Sequence, residues 1–305
     1  MMQSKQDKKS YIYIALGVFL LGTGPIFVKS VQTHGVLVGF YRLLFAGIMM
    51  AVPAFFMRSK EKPHSSPKEQ WTWSILGGIA FAFNISLWCS ALNYTNASVV
   101  TLLDNTAPVW VGLVSWLLLG LRQHRFFWLG LLVTLGGAAL MIGVDLNNSS
   151  SEQMTGNLIA LASGFSYGMY ILVTHRARRI LDSFQYSFRV NVFGSLVLLA
   201  AGLALGLFNQ VLSAKVYLLI FLMALTSQVM AWLLVNHALG YLPAAAASIA
   251  LVGQPIVTTI WAWLLLGEKL TTMQAVGGVL SLAGILIVQL TANRSSTKMT
   301  NSGLE

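Results

Sequence analysis

Two charged side chains stand deep inside apolar stretches. Arg42 lies in FYRLLFAG and Asp104 in TLLDNTAP. An ionised group in hydrocarbon costs several kcal/mol unless paired or hydrated, so each is a functional candidate by default. Arg42 is about six residues into its apolar run and Asp104 about seven into another. At about 1.5 Å per residue, both start roughly 10 Å from the same membrane face. At a shared depth they could form an ion pair or hold the two ends of a zwitterion. A structural pair that locks two helices is the equal alternative. Asp104 could also carry a coupling proton, with its apolar surroundings and Arg42 acting on it in opposite senses.

Helical spacing groups further polar residues. Asn84 and Trp88 share one face, and Gln228, Trp232 and Asn236 recur at steps of four on another. Ser163, Ser166, Tyr167 and Tyr170 form a stripe. Asn105 follows Asp104, and Gln254 precedes Pro255. Amides and aromatic faces near mid-membrane suit a polar or cationic organic ligand. Interhelical hydrogen bonding, at about 0.6 kcal/mol per contact, is the plainer use of the same residues. Pro108 and Pro255 each remove a backbone bond and could kink their helices as paired pivots, or only bend them around a cavity. His237 could titrate near neutral pH or serve structure alone. Trp71, Trp73 and Trp128 fall near run ends, as interfacial anchors do.

Other chemistries find no residues to carry them. The five histidines are dispersed, and no HExxH, GxSxG or phosphate-loop pattern occurs. A membrane-embedded enzyme would need such a constellation. The single cysteine, Cys89, allows no disulfide within the chain and no CxxC metal site. The sequence therefore calls for no metal and no cofactor.

The elements that position these residues are apolar runs. Of 305 residues, 56% are hydrophobic and only 9% charged, against about 25% charged in a soluble domain. Most of the surface must face lipid. Ten runs are long enough to cross a bilayer: 11–31, 36–57, 71–93, 97–119, 125–144, 154–174, 184–208, 216–239, 244–266 and 271–291. They lack the two-residue alternation of a membrane barrel, so the fold class is an all-α polytopic membrane protein. The N-terminus, MMQSKQDKKS, reads as a charged tail leading straight into the first span rather than a cleavable signal.

The net charge of +10 does not point to nucleic acid, because no helix or strand presents the basic residues as a groove. They gather in alternate loops: Lys5, Lys8 and Lys9; Arg58, Lys60, Lys62 and Lys68; Arg122 and Arg125; Arg176, Arg178 and Arg179; Arg294 and Lys298. With ten spans all these segments share one side. The positive-inside rule makes that side, and both termini, cytoplasmic, with the chain in the inner (plasma) membrane.

The second half of the chain repeats the first. The segment ALNYTNASVVTLLDNTAPVWVGLVSWLLLG from Ala91 aligns without gaps on ALGYLPAAAASIALVGQPIVTTIWAWLLLG from Ala238, at an offset of 147. Tyr94 matches Tyr241, Pro108 matches Pro255, Trp116 matches Trp263 and Gly120 matches Gly267. The register continues through Gly130/Gly277 and Gly137/Gly284. Each unit holds an odd number of spans, so the second enters the membrane inverted. The expected organisation is a tail at 1–10, a first repeat at 11–144, a linker at 145–153, a second repeat at 154–291 and a tail at 292–305. Inverted repeats are a recurring plan for secondary transporters, whose halves rock about a midplane site. A channel would instead want a ring of filter carbonyls or charges.

The pattern AL-x-Y-x-x-A…P…WLLLG-E-K, fullest at Ala238 to Lys269, resembles the drug/metabolite transporter superfamily, specifically ten-helix proteins built from two EamA-type repeats. The GTGPIFVK run at Gly22 and the FYRLLFAG run at Phe40 resemble the family's first two helices. One departure stands out: Leu121 occupies the place that the second repeat fills with Glu268. The resemblance implies a cavity lined by helices 1–4 and 6–9. It also implies transport of a small metabolite, such as an amino acid, amine or nucleotide-related compound, often as export. An aromatic or zwitterionic amino acid is the leading substrate class, on Arg42, Asp104 and the tryptophans. An organic cation is the alternative. Surface glycines do not by themselves specify a dimer.

Overall fold

The computed structural model describes residues 2–56, 66–120, 123–143, 151–209, 211–239 and 244–302. For 2–8, 55–56, 119, 143, 236, 239, 244–249 and 291–302 it gives the backbone path. Leu121, Tyr241, the basic residues Arg58, Lys60, Lys62 and Arg122, and the Asn236 side chain lie outside the described residues.

The described residues form ten helices. α1 is Met2–Val31, α2 Gly35–Phe56 and α3 Pro67–Ala91. α4 comes in two segments, Ala97–Asp104 and Ala107–Leu119. α5 is Arg125–Gly143, α6 Ser151–Ala177 and α7 Ser183–Ala204. α8 runs from Ala214–Met223 through a π-helical stretch, Ala224–Met230, into Ala231–Leu239. α9 is Ala244–Trp261 and ends in a second π-helical stretch, Ala262–Leu266. α10 is Thr272–Ser302. Nine of them have the length and hydropathy to cross a membrane, and α9 contributes a shorter apolar stretch, Ala250–Leu266. Lipid offers backbone groups no partner, so apolar runs of this length must satisfy their own hydrogen bonds as helices.

Two boundaries differ from the sequence reading by more than about a turn. α1 begins at Met2 rather than near residue 11, and α10 continues to Ser302 rather than stopping near 291. No glycine or proline stands between either polar tail and its span, so nothing interrupts the helical bonding. The caps carry the repeat further. Ser66 accepts from Glu69 N–H at the start of α3, and Ser213, 147 residues on, accepts from Val216 N–H at the start of α8. Gly120 and Gly267 close the matched helices α4 and α9 in the left-handed conformation, at φ 65° and 66°.

Helix packing follows a two-fold plan. α1 packs on α8 and α9, and α6 on α3 and α4. α2 packs on α7, α5 on α10 and α4 on α9. Exchanging the two repeats maps each pairing onto itself or onto another in the set. α5 crosses α10 closely, and a Cβ on Gly137 would lie 2.5 Å from the Gly277 carbonyl oxygen. Lipid tails are as apolar as the helices, so small residues that let backbones approach do the work that water exclusion does in soluble cores.

Pro108 and Pro255 occupy matched positions with different surroundings. At Pro108 α4 is divided, and the proline sits in the first turn of the second segment. At Pro255 α9 runs on without a break. The cause lies just before Pro108: Asn105 Nδ2 donates to Thr101 O at 2.8 Å, and Thr106 Oγ1 donates to Leu103 O at 2.7 Å. Side chains that bond nearby carbonyls compete with the helical ladder. The second repeat has Val252 and Gly253 there, which cannot.

Candidate functional site

One membrane face carries the two termini and the α6–α7 turn; the other carries the α3–α4 and α9–α10 turns. A cavity of about 610 Å³ extends to the terminal face. Its walls come from α2, α3 and α6 to α9. Aromatic rings dominate (Phe81, Tyr167, Tyr170, Phe184, Tyr186 and Trp232), joined by Asn191, Gln228, Thr174, Ser183, Ser187 and, at the terminal-face end, Arg178. The volume lies within the range that holds small organic ligands.

Two polar clusters stand behind the inner end of this cavity. In the first, Arg42 on α2 is 6% exposed and donates from Nε to Gln228 Oε1 at 3.1 Å. Gln228 Nε2 donates to Asn191 Oδ1 at 3.4 Å, and Asn191 Nδ2 donates to Ser187 O at 2.8 Å. The guanidinium also lies 5.3 Å over the Trp88 ring. Gln228 falls in the π-helical stretch of α8, a distortion common at functional sites. The layer thus ties α2, α8 and α7, and its amides Gln228 and Asn191 face the cavity.

In the second cluster, Asn84 Nδ2 donates to Asp104 Oδ1 at 3.0 Å and to Ser163 O at 3.2 Å. Ser163 Oγ donates to the same Asp104 oxygen in a short contact. Asp104 ends the first segment of α4, Asn84 comes from α3 and Ser163 from α6. Tyr167, one turn beyond Ser163, lines the cavity. On α3, Trp88 touches the Arg42 cluster and Asn84, one turn earlier, the Asp104 cluster. The two charges are neighbours across about one helical turn, each held by neutral partners.

The face opposite the termini is tied shut across the repeats. Lys29 Nζ at the end of α1 meets Glu268 Oε1 in the α9–α10 turn at 2.7 Å, as an ion pair rather than an aligned hydrogen bond. Ala97 N–H, at the start of α4, donates to Glu268 Oε2 at 2.8 Å. Thr95 Oγ1 donates to Asn157 Oδ1 on α6 at 2.8 Å.

A model of the EamA-like transporter family matches residues 8–143 and again 154–290. The chain belongs to the EamA-like transporter family. It therefore falls in the drug/metabolite transporter superfamily. An uncharacterized transporter of Archaeoglobus fulgidus is 24% identical over 286 residues, covering 92% of this chain and 97% of its own. A second from that organism is 28% identical over 194 residues, covering 63% and 66%. The uncharacterized transporter YwfM of Bacillus subtilis is 24% identical over 168 residues, covering 53% and 54%. A crystal structure at 16% identity superposes with a TM-score of 0.60 over 94% of this chain and 98% of the other, a likeness of fold.

In this EamA-like transporter the sequence candidates separate into groups. Tyr167, Gln228 and Trp232 line the cavity, and Arg42, Asn84, Trp88 and Asp104 stand behind it. Among the described residues Arg42 and Asp104 form no ion pair, so of the two roles read from their depth the direct bridge is not made. Asn105 bonds within its own helix, and Gln254 is half-buried on α9 away from this cavity's lining. His237 packs edge-to-face on Tyr13 with ring centroids 5.2 Å apart.

Sequence reading missed Asn191 and Arg189. Asn191 is an amide inside the apolar run of α7, the same signal that singled out Gln228. Arg189 is the repeat counterpart of Arg42, since 42 plus the offset of 147 is 189, and Gly47 meets Gly194 in the same register. Its guanidinium lies 4.8 Å over Trp71, with Nη1 buried and unbonded among the described residues.

Proposed function

We propose that the chain is a secondary transporter moving a small organic metabolite, an amino acid or related compound, across the inner membrane. It works by alternating access and in the export direction, with both termini cytoplasmic. The observation that carries this reading is the aromatic-walled cavity, open toward the terminal face and ending on the Arg42–Gln228–Asn191 layer. A ring or aliphatic body packs against Tyr167, Tyr170 and Trp232. A carboxylate meets the amides of Gln228 and Asn191, backed by the charge of Arg42, and an amine finds Asp104 behind Tyr167. Among the described residues no carboxylate lines the cavity, and the Arg42 guanidinium stands directly behind Gln228, which favours an amino acid or organic anion over an organic cation. Asp104, held on one oxygen by Asn84 and Ser163, is the group available to a coupling proton.

The test is a thermal-shift screen of the purified chain in detergent, wild type beside Asp104→Asn and Arg42→Gln, with amino acids, polyamines, quaternary amines and nucleosides. Stabilisation by amino acids that is lost in either variant supports the reading. Stabilisation by quaternary amines that survives Arg42→Gln reverses the substrate class.

A further inference from the structure

The contact between Lys29, Glu268 and the Ala97 amide joins three elements at the face opposite the cavity mouth. α1 and α4 come from the first repeat and the α9–α10 turn from the second. A path through the protein has to pass between these elements for that face to open. The 147-residue offset maps Lys29 onto Arg176, Ala97 onto Ala244 and Glu268 onto Leu121. In sequence the counterpart set thus keeps the cation and the alanine, with a leucine in place of the acid.

We infer that Glu268 is a gating residue: with Lys29 and the Ala97 amide it forms a latch that closes the non-terminal face, and its repeat counterpart in sequence, Leu121, carries no acid to form another. Two inverted repeats of equal chemistry would populate the two facing states about equally. An ion pair made in one state alone shifts the population toward it by its differential stability. Glu268 also accepts from the first free N–H of α4, where a helix N-terminus favours an anion. Both attractions are lost together when the face opens. The resting protein is therefore open toward the terminal face, as its cavity is. The inference rests on the alternating-access reading above.

The test is pulsed electron-electron resonance on the full chain in lipid nanodiscs, in a Cys89→Ala background. One pair of spin labels at Ser30 and Thr272 spans the latch. A second at Lys68 and Arg179 spans the terminal face. All four positions are exposed. Glu268→Gln and Lys29→Met are each expected to raise the long-distance fraction of the first pair several-fold and to shorten the second pair in step. The double variant does no more than Glu268→Gln alone, because Lys29 acts only through Glu268. Leu121→Glu, which restores the acid at the repeat counterpart of Glu268, shifts the populations in the same direction. The inference is overturned if Leu121→Glu moves both pairs while Glu268→Gln and Lys29→Met leave them at wild-type populations, or if the single effects add. If neither pair shows a second population in any variant, alternating access fails and the latch fails with it.

Discussion

Ser281 donates its hydroxyl to the backbone carbonyl of Thr134 at 3.0 Å, and the two residues are 147 positions apart. That separation is the offset of the internal repeat, so the bond joins equivalent residues and marks the pseudo-two-fold axis between α5 and α10. Around it the glycines exchange partners: Gly130 faces Gly284 and Gly137 faces Gly277. Matching in sequence pairs Gly130 with Gly277 and Gly137 with Gly284, and an antiparallel crossing on a two-fold axis swaps those pairings.

This crossing predicts a contrast between adjacent glycines. A Cβ on Gly137 meets backbone of α10 at 2.5 Å, whereas one on Gly136 meets nothing within 4 Å. Gly137→Ala is expected to lower stability by about 1–3 kcal/mol, the usual cost of overpacking. Gly136→Ala should be neutral or slightly stabilising through helix propensity. Melting of both variants in one detergent checks this, and equal melting temperatures would count against the crossing.

Much of the fold was legible because membrane insertion leaves few choices. Run length sets the helix count, loop charge sets a sidedness to test, and the matched Pro, Trp and Gly residues reveal the repeat. Depth was legible to within about a turn: counting residues put Arg42 and Asp104 at one level, and they meet α3 at Trp88 and Asn84, one turn apart. Rotation about each helix axis was not. It is rotation that turns Arg42 toward Gln228 on α8 and Asp104 toward Asn84 and Ser163. The break in α4 was equally hidden, because Pro108 and Pro255 look alike in sequence. The outcome turned on Asn105 and Thr106 bonding nearby carbonyls. Arg189 was within reach, since the repeat register extends into α7.

The Arg42 layer predicts a non-additive pair. Gln228→Leu leaves the buried guanidinium without its acceptor, and loss of a partner to a buried group costs about 1–3 kcal/mol, more when it is charged. Arg42→Met combined with Gln228→Leu removes both polar groups and should be less destabilising than Gln228→Leu alone, as when a buried polar pair is replaced by apolar residues. A double-mutant cycle on unfolding free energies measures the coupling. Strict additivity would show that the 3.1 Å bond contributes nothing.

The Asp104 cluster predicts a ranking among serines of α6. Ser163 Oγ donates to Asp104, while Ser166 Oγ makes only a 3.4 Å bond to Ala80 O. Ser163→Ala should cost about 1 kcal/mol, because it takes a donor from a half-buried carboxyl. Ser166→Ala should cost less. The two variants differ from wild type by the same single atom, so a reversed order of melting temperatures would argue that Asp104 does not depend on Ser163.

The cavity itself predicts a loss of ligand response without loss of fold. Ser187 lines the cavity at the start of α7, and Ser187→Trp would place an indole where the ligand body is expected. Leu264, 57% exposed on the outside of α9, provides the control as Leu264→Trp. Both variants add a tryptophan, but only one occupies cavity space. Ser187→Trp is expected to keep a melting temperature within a few degrees of wild type, because it fills a void rather than a packed site. It should abolish the thermal shift that wild type and Leu264→Trp show with a stabilising amino acid, and abolish flux in proteoliposomes. Retained flux in Ser187→Trp, with Leu264→Trp also active, would place the substrate path elsewhere in the bundle.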